Sequence, residues 1–502
     1  MGIVVRQSLK ASVGSYLGVL IGVINQMYVS AEMLSVEQYA LSRILFENSL
    51  LFASFAHFGT PFIVDRYFRR FQSDEEKHRG ILTFLLALPL VGICLFVITY
   101  WLFTPLIVGY FSKNSALLVD YHFLVIPLTI FWVYLTVLDA YCRNNARIAV
   151  PMFIREVYLR VANILVVLIF GFGWINFDWM LYLVIGAYGF GVVLFIVYIV
   201  FLGKAYWRWP DRSILTKPLF KEMLGYGSFT ILGALGVNVI LFIDRTMLAG
   251  ERDLKNAAIF IIASYMASVV EIPRKALSQI SIPILTTHLH NEDFKGLEMM
   301  NQKTALHLFL SGGLVFLLIW VNIDDIFYLL PKSNIYGEGK YVVLFLLITK
   351  LFDMAAGLNT EIILYSKYYR VATWIIIFTA ILGVLLNIWL IPRYGFIGAA
   401  VATSLTTFVY SGIRLAFVRY RFGISPYSLH SFTLFVGFLV VFGLSYLIPS
   451  HMQNPFLAIA WIVIRSTVVC ILLGLYVWKW RVSDEINGII VSVTKRLKKF
   501  SR

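Results

Sequence analysis

The chain is expected to be an all-α polytopic membrane protein, and three observations carry that expectation. The first is composition: of 502 residues, 60% are hydrophobic and 14% charged, with a mean hydropathy of +0.82. Soluble domains carry about 45–50% apolar and about 25% charged residues, so this chain lacks the polar side chains to coat a core of its own. The second is that apolar segments of about 20 residues, the length that crosses the hydrocarbon layer, recur from one end to the other. The third is that basic residues collect in every second connection between those segments.

The segments fall near 9–30, 44–64, 81–104, 117–141, 157–174, 179–203 and 224–249, and then near 257–285, 304–330, 341–366, 371–392, 395–418, 431–449 and 455–478, fourteen in all. The first two are interrupted by polar residues. Residues 1–10 lead into a long apolar run with no small-residue cleavage site after it, which reads as an uncleaved first helix rather than a signal peptide.

With the N-terminus placed inside, the even-numbered connections and the two ends hold about 29 Lys and Arg, against about 7 in the odd-numbered ones. Arg66, Arg69 and Arg70, then Arg143 and Arg147, then Lys204 and Arg208 open that series, and Arg414, Arg419 and Arg421 belong to its later members. An omitted or invented helix would scramble the alternation downstream, so both termini are expected on the cytoplasmic side. The net charge of +15 is thereby explained without nucleic acid. The tail 479–502 sets Ile486, Ile489, Ile490, Val493 and Leu497 at helical spacing opposite lysines, as a helix lying on anionic lipid would.

An internal repeat sets the domain organisation. A long apolar helix, the polar connection Ser35-Val-Glu-Gln-Tyr-Ala40 and a further helix recur as 224–249, Arg252-Asp-Leu-Lys-Asn-Ala257 and a helix from Ile259. Six helices separate the two starts, so the halves share one orientation, as in transporters built from parallel repeats. The expected parts are a six-helix lobe over 1–203, a cytoplasmic linker over 204–223, a second six-helix lobe over 224–418, two additional helices over 431–478, and the basic tail.

Several stretches carry a resemblance. Leu390-Ile-Pro-Arg-Tyr-Gly-Phe-Ile-Gly-Ala-Ala-Val-Ala-Thr403, preceded by Asn387, resembles the proline–aromatic–glycine run joining helices eleven and twelve in the polysaccharide-exporter branch of the MOP superfamily. Ile243-Asp-Arg-Thr-Met-Leu248 is similar to a motif closing helix seven there, and Leu34-Ser-Val-Glu-Gln-Tyr39 through Phe58-Gly-Thr-Pro61 to the first hairpin. The resemblance spans the whole chain. It implies a flippase, acting by alternating access, that moves an undecaprenyl-diphosphate-linked oligosaccharide, a polysaccharide or O-antigen repeat unit, from the inner to the outer leaflet of the bacterial cytoplasmic membrane. A glycan polymerase and glycosyltransferases are the implied partners. The multidrug branch resembles a twelve-helix design, so the extra pair 431–478 argues for the lipid-flipping side; a cation-coupled organic-cation antiporter is the alternative. On its own terms, the Gly-Ala-Ala run is a close-packing device.

Ionisable residues at membrane depth are costly and are functional candidates by default. The cationic ones proposed for an anionic headgroup are Arg160, Arg245, Arg274, Lys275, Lys350 and Arg465. Arg recognises phosphate oxygens through a planar fork of donors, and a diphosphate carries about two negative charges. Candidates for ion or proton coupling are Glu47, Asp139, Asp244, Asp353, Glu361 and Asn387. Helical spacing pairs Arg43 with Glu47, Glu271 with Arg274, and Lys350 with Asp353. Helices thirteen and fourteen contain no acid, so nothing local neutralises Arg465.

The remaining residues exclude other chemistry. No phosphate-binding Gly-x-x-x-x-Gly-Lys-Ser/Thr loop is present, no Ser–His–Asp set or carboxylate pair suggests catalysis, and no cofactor is expected. His288 and His290 lie in a loop without further ligands, and Cys94, Cys142 and Cys470 have no pairing or metal-binding spacing.

Overall fold

The computed structural model describes residues 18, 20–73, 77–210, 213–445, 447, 454–483 and 487. Every described element is helical. Two compact units divide the chain, Met1–Ala258 and Ile259–Arg502.

In the first unit, the described end of the first span closes with a π-helical turn, Asn25–Val29, and a short helix, Ser30–Met33. Helix α1 (Val36–Ala56) starts on a capping box, in which the Ser35 hydroxyl accepts from the Gln38 N–H and the Gln38 side chain accepts from the Ser35 N–H. It stops at His57-Phe58-Gly59, and α2 (Thr60–Phe71) continues with Pro61 in its first turn. Gly59 makes this break: its φ is 72°, and a Cβ there would stand 2.5 Å from the Gly227 backbone. The spans after it are α3 (Ile81–Phe111), α4 (Val125–Asn144), α5 (Leu159–Gly171), α6 (Phe177–Phe201) and α7 (Lys217–Glu251). Two short helices lead into α4, and a π-helical turn, Ile154–Tyr158, leads into α5.

Helix α8 (Leu254–Ser268) crosses from the first unit into the second, where α9 (Ile272–His290) follows a 3-10 turn, Val269–Glu271. Pro273 lacks an N–H and its ring crowds the carbonyl of Val269, which breaks the helix there. Helix α10 (Phe294–Val321) is capped by Asp293, whose side chain accepts from the Gly296 N–H. Helices α11 (Lys340–Ala355) and α12 (Asn359–Tyr365) form one broken span bent by 54°. Helix α13 (Tyr369–Phe422) holds the eleventh and twelfth sequence spans, kinked where Gly395 takes φ 57°. Beside it, Ala399, Ala400 and Ala402 are fully buried, and a Cβ on Gly398 would stand 2.3 Å from the Leu390 carbonyl oxygen. The last two, α14 (Leu429–Ser445) and α15 (Pro455–Lys479), pack on α10 through Phe309, Leu317, Phe438, Val441, Val469 and Leu473.

Among the described residues, eight helices are long and apolar enough to cross a membrane, or nine with the bent pair. The difference from fourteen has a structural cause. The first sequence span lies partly outside the described residues, the second, fifth and tenth are broken or irregular helices, the eleventh and twelfth run together, and α14 has only 17 residues. Large apolar side chains such as Leu90, Trp101 and Leu106 of α3 and Val193 and Val197 of α6 point outwards. The chain is a multi-pass membrane protein. The tail reading falls largely outside the described residues.

Candidate functional site

The ionisable side chains of the spans gather into a few clusters, most of them built across helices. In the first unit, Glu47 of α1 accepts from Arg43 one turn earlier (3.2 Å) and from Arg245 of α7 (2.6 Å), with 1% of its side chain exposed. The same α1–α7 seam carries Thr246 donating to Asn48 (2.7 Å) and Asn238 donating to Ser54 (2.7 Å). Asp244 is buried beside Arg245 in sequence. The expected Arg43–Glu47 pair therefore exists and gains a third member that spacing alone does not reveal.

Asp139 of α4 lies between Arg143 (2.9 Å) and Arg155 (3.0 Å), and Arg143 also reaches Asp65 of α2 (2.8 Å). Arg160 of α5 pairs with Glu156 one turn earlier (2.6 Å). Both groups are part-exposed.

In the second unit, Arg274 of α9 meets Asp353 of α11 and stands 3.8 Å from Glu361 of α12. Arg414 of α13 holds the other Asp353 oxygen at 2.5 Å, helped by the Ser411 hydroxyl (2.7 Å), and also donates to Thr360. Its guanidinium stacks 3.7 Å over the Tyr410 ring. Lys350 of α11 reaches Glu271 at 2.9 Å. The sequence pairings here are corrected: Lys350 takes Glu271 rather than Asp353, and Arg274 takes Asp353 rather than Glu271. The turn at Val269–Glu271 interrupts the helical register between Glu271 and Arg274, and the long Arg274 side chain crosses to α11 instead. Arg414 was missed, since its place near Arg419 and Arg421 suggested a loop; it is 5% exposed.

Among the described side chains, three cations (Arg274, Lys350, Arg414) meet three carboxylates (Glu271, Asp353, Glu361), so this cluster is balanced rather than cationic. The Lys275 side chain lies outside the described residues. Asn387 is buried within α13.

Arg465 of α15 also finds its neutralising partner. It donates to Asp325 (2.7 Å) and to the Val321 carbonyl (3.2 Å), with 3% and 0% of the two side chains exposed. Asp325 lies in the short helix Ile323–Leu329 after α10, outside the last two spans, which hold no acid. Next to it, Asn322 donates to Ser466 (3.2 Å). No group of His, Cys, Asp and Glu that could hold a metal ion occurs among the described residues.

No family model matches this chain, and no curated protein matches it. Solved structures do. A lipid II flippase, MurJ, in an inward closed conformation is similar over 94% of this chain and 99% of its own, with a TM-score of 0.72 and 13% identity. An inward-facing multidrug resistance MATE family transporter of the MOP superfamily covers 83% of this chain and 98% of its own, with a TM-score of 0.64 and 15% identity. A MOP superfamily transporter from Pyrococcus furiosus, for which a binding pocket of reverse polarity suggests a different function, covers 84% and 95%, with a TM-score of 0.57 and 15% identity. The fold expected from the residues is thus the fold observed: this chain has the helical fold of these solved transporters.

Proposed function

We propose that this protein is a transporter that flips an undecaprenyl-diphosphate-linked oligosaccharide from the inner to the outer leaflet of a bacterial cytoplasmic membrane by alternating access. The observation that carries the reading is the extent of the likeness. The match to the lipid II flippase leaves about 30 residues of this chain uncovered, too few to omit both α14 and α15. The multidrug transporter leaves more than that pair uncovered. That difference in coverage supports the lipid-flipping side, to which the sequence assigns the extra pair of helices.

The second-unit cluster supplies the chemistry such a cargo needs. Arg274 and Arg414 present planar donor forks, and each is now shared with carboxylates that a diphosphate could replace. Both termini cytoplasmic and a glycan polymerase acting on the product belong to the same proposal. A cation antiporter of this fold is the second reading. It is favoured by Glu47, a buried carboxylate of which one oxygen has no hydrogen-bond partner among the described residues.

Purified protein in proteoliposomes tests the proposal, with a fluorescent polyprenyl-diphospho-oligosaccharide followed between leaflets. Wild type is expected to flip it, and Arg274→Gln and Arg414→Gln to slow flipping about 10- to 100-fold, the loss of one charge-assisted contact. Flipping unchanged in both, with both folded, removes the headgroup role of this cluster. Failure of the wild type, together with uptake of organic cations, favours the second reading.

A further inference from the structure

The charged clusters fill seams between helices, but the outer face of the first unit carries a cavity of a different kind. A groove of 430 Å³ lies where α3, α4 and α6 meet. It is lined by Leu86, Ala87 and Leu90 of α3, Leu138 of α4, and Val192 and Ile196 of α6, with Trp207 of the linker at one end. No charged side chain lines it. Its volume falls in the range of small-ligand pockets, about 300–1,000 Å³. From Thr83 to Leu90 it follows about 10 Å of α3. Val91, Val193 and Val197 beside it are exposed, so the groove opens to hydrocarbon rather than to water. Walls of this kind lack contact partners that a flexible apolar chain supplies.

Contacts on both sides of Trp207 hold it at the linker end of the groove. The Tyr141 hydroxyl donates to the Lys204 carbonyl (2.8 Å), and the His78 and Tyr206 rings meet edge to face at 5.1 Å. Gly80 has no side chain to keep the Trp209 carbonyl away. Tryptophan beside basic residues is what a membrane–water interface selects. Arg208 follows Trp207 and is exposed, and Arg147, also exposed, stands close to Tyr198 of α6. One end of the groove is thus aromatic and cationic, and the rest is apolar. A phospholipid has the same layout, with its phosphate at the interface and its chains in hydrocarbon. The side chains at 74–77, 211 and 212 lie outside the described residues, and the preference for an anionic headgroup is placed on Arg208, whose removal tests it.

We propose that this groove is a binding site for an anionic phospholipid, with one acyl chain between α3 and α6 and the phosphate beside Arg208. A lipid so placed ties the linker to α3 and α6. The site is separate from the clusters assigned to the cargo, because none of their charged residues lines it. It therefore stands or falls independently of the flippase reading. A chain in the groove touches Trp207 directly, which makes that residue its reporter.

The test uses the full-length protein in phosphatidylcholine nanodiscs doped with phosphatidylglycerol that carries dibrominated acyl chains, bromine being a contact quencher of tryptophan. The Trp207 signal is the difference between wild type and Trp207→Phe. The other tryptophans, the exposed Trp101 and Trp174 among them, report the surrounding lipid. In wild type, brominated phosphatidylglycerol is expected to quench Trp207 at least about fivefold more effectively than brominated phosphatidylcholine at the same mole fraction, the worth of one basic residue at an anionic surface. The remaining signal should show a smaller preference. Ala87→Phe, which fills the groove, should abolish the preference at Trp207. Arg208→Gln should keep quenching by the chain and lose the preference. Should Ala87→Phe fail to fold, Val192→Phe on the α6 wall and the change at the exposed Arg208 carry the test. Equal quenching of Trp207 by the two lipids in wild type means surrounding lipid only and overturns the proposal. An unchanged preference in Ala87→Phe or in Arg208→Gln overturns it too. Stronger quenching by a brominated polyprenyl phosphate than by phosphatidylglycerol would assign the groove to a prenyl chain, and the proposal would fall.

Discussion

Arg465 and Asp325 are opposite charges 2.7 Å apart with almost no exposed surface, and removing either strands the other. Breaking such a pair costs about 3–5 kcal/mol, whereas replacing both members by well-packed apolar residues is often neutral or better. Arg465→Ala is therefore expected to lower the melting temperature of the detergent-purified protein sharply, and Arg465→Met with Asp325→Leu to restore most of it. Equal stability of Arg465→Ala and wild type would show that the pair does not hold α15 in place. This differs from the headgroup role that the lone charge suggests in the sequence. Residue identity made Arg465 conspicuous, but its partner sits 140 positions away, and no periodicity links them. Arg414 shows the converse: a side chain buried against Asp353 looked like one more basic residue at a helix end, because burial is set by neighbouring helices that sequence spacing does not see.

At the scale of elements, the breaks matter as much as the helices. Gly59 ends the first half of the second span with a left-handed backbone and the Gly227 backbone against it. Gly59→Ala must strain the backbone and push α7 away, so a loss of more than about 1 kcal/mol is expected, read as a lower midpoint in thermal or denaturant unfolding. Gly225→Ala, where nothing lies within 4 Å, is the matched control and should cost far less. The start of α10 offers a pH-dependent case. The Gly296 N–H and then His288 hold the Asp293 carboxyl below its usual range. A lowered carboxylate contributes above its unfolded value and loses that contribution as pH falls through the lowered one. Protection of the first α10 amides from hydrogen exchange should thus fade on acidification in wild type and be weak at all pH values in Asp293→Ala. Helix existence was legible because a run of about 20 apolar residues has few alternatives. The breaks at Pro273 and Gly395 left residues to notice, but the sequence could not say that the eleventh and twelfth spans run on as α13 while the tenth splits into α11 and α12.

For the whole molecule, composition and the loop charges anticipated a polytopic helical protein, and the solved relatives share its fold at 13–15% identity. That pairing is informative in itself. A lipid-facing surface constrains only hydrophobicity, so the fold persists while most side chains drift, and the proposed recognition of a cargo is assigned to a few charged positions buried between helices. Most of those positions were visible individually, Arg414 being an exception, but of their partnerships only Arg43 with Glu47, one turn apart, was legible. The extra pair α14–α15 packs on α10 through an apolar seam and the Arg465–Asp325 bridge, and the proposed flippase function leans on that pair. Its most direct test is analysis of lipid-linked glycans, with leaflet assignment, in cells from which this gene is deleted. The account predicts that an undecaprenyl-diphosphate-linked oligosaccharide accumulates on the inner leaflet and that the corresponding surface glycan disappears. Unchanged lipid-linked glycan, with new sensitivity to organic cations, would contradict it.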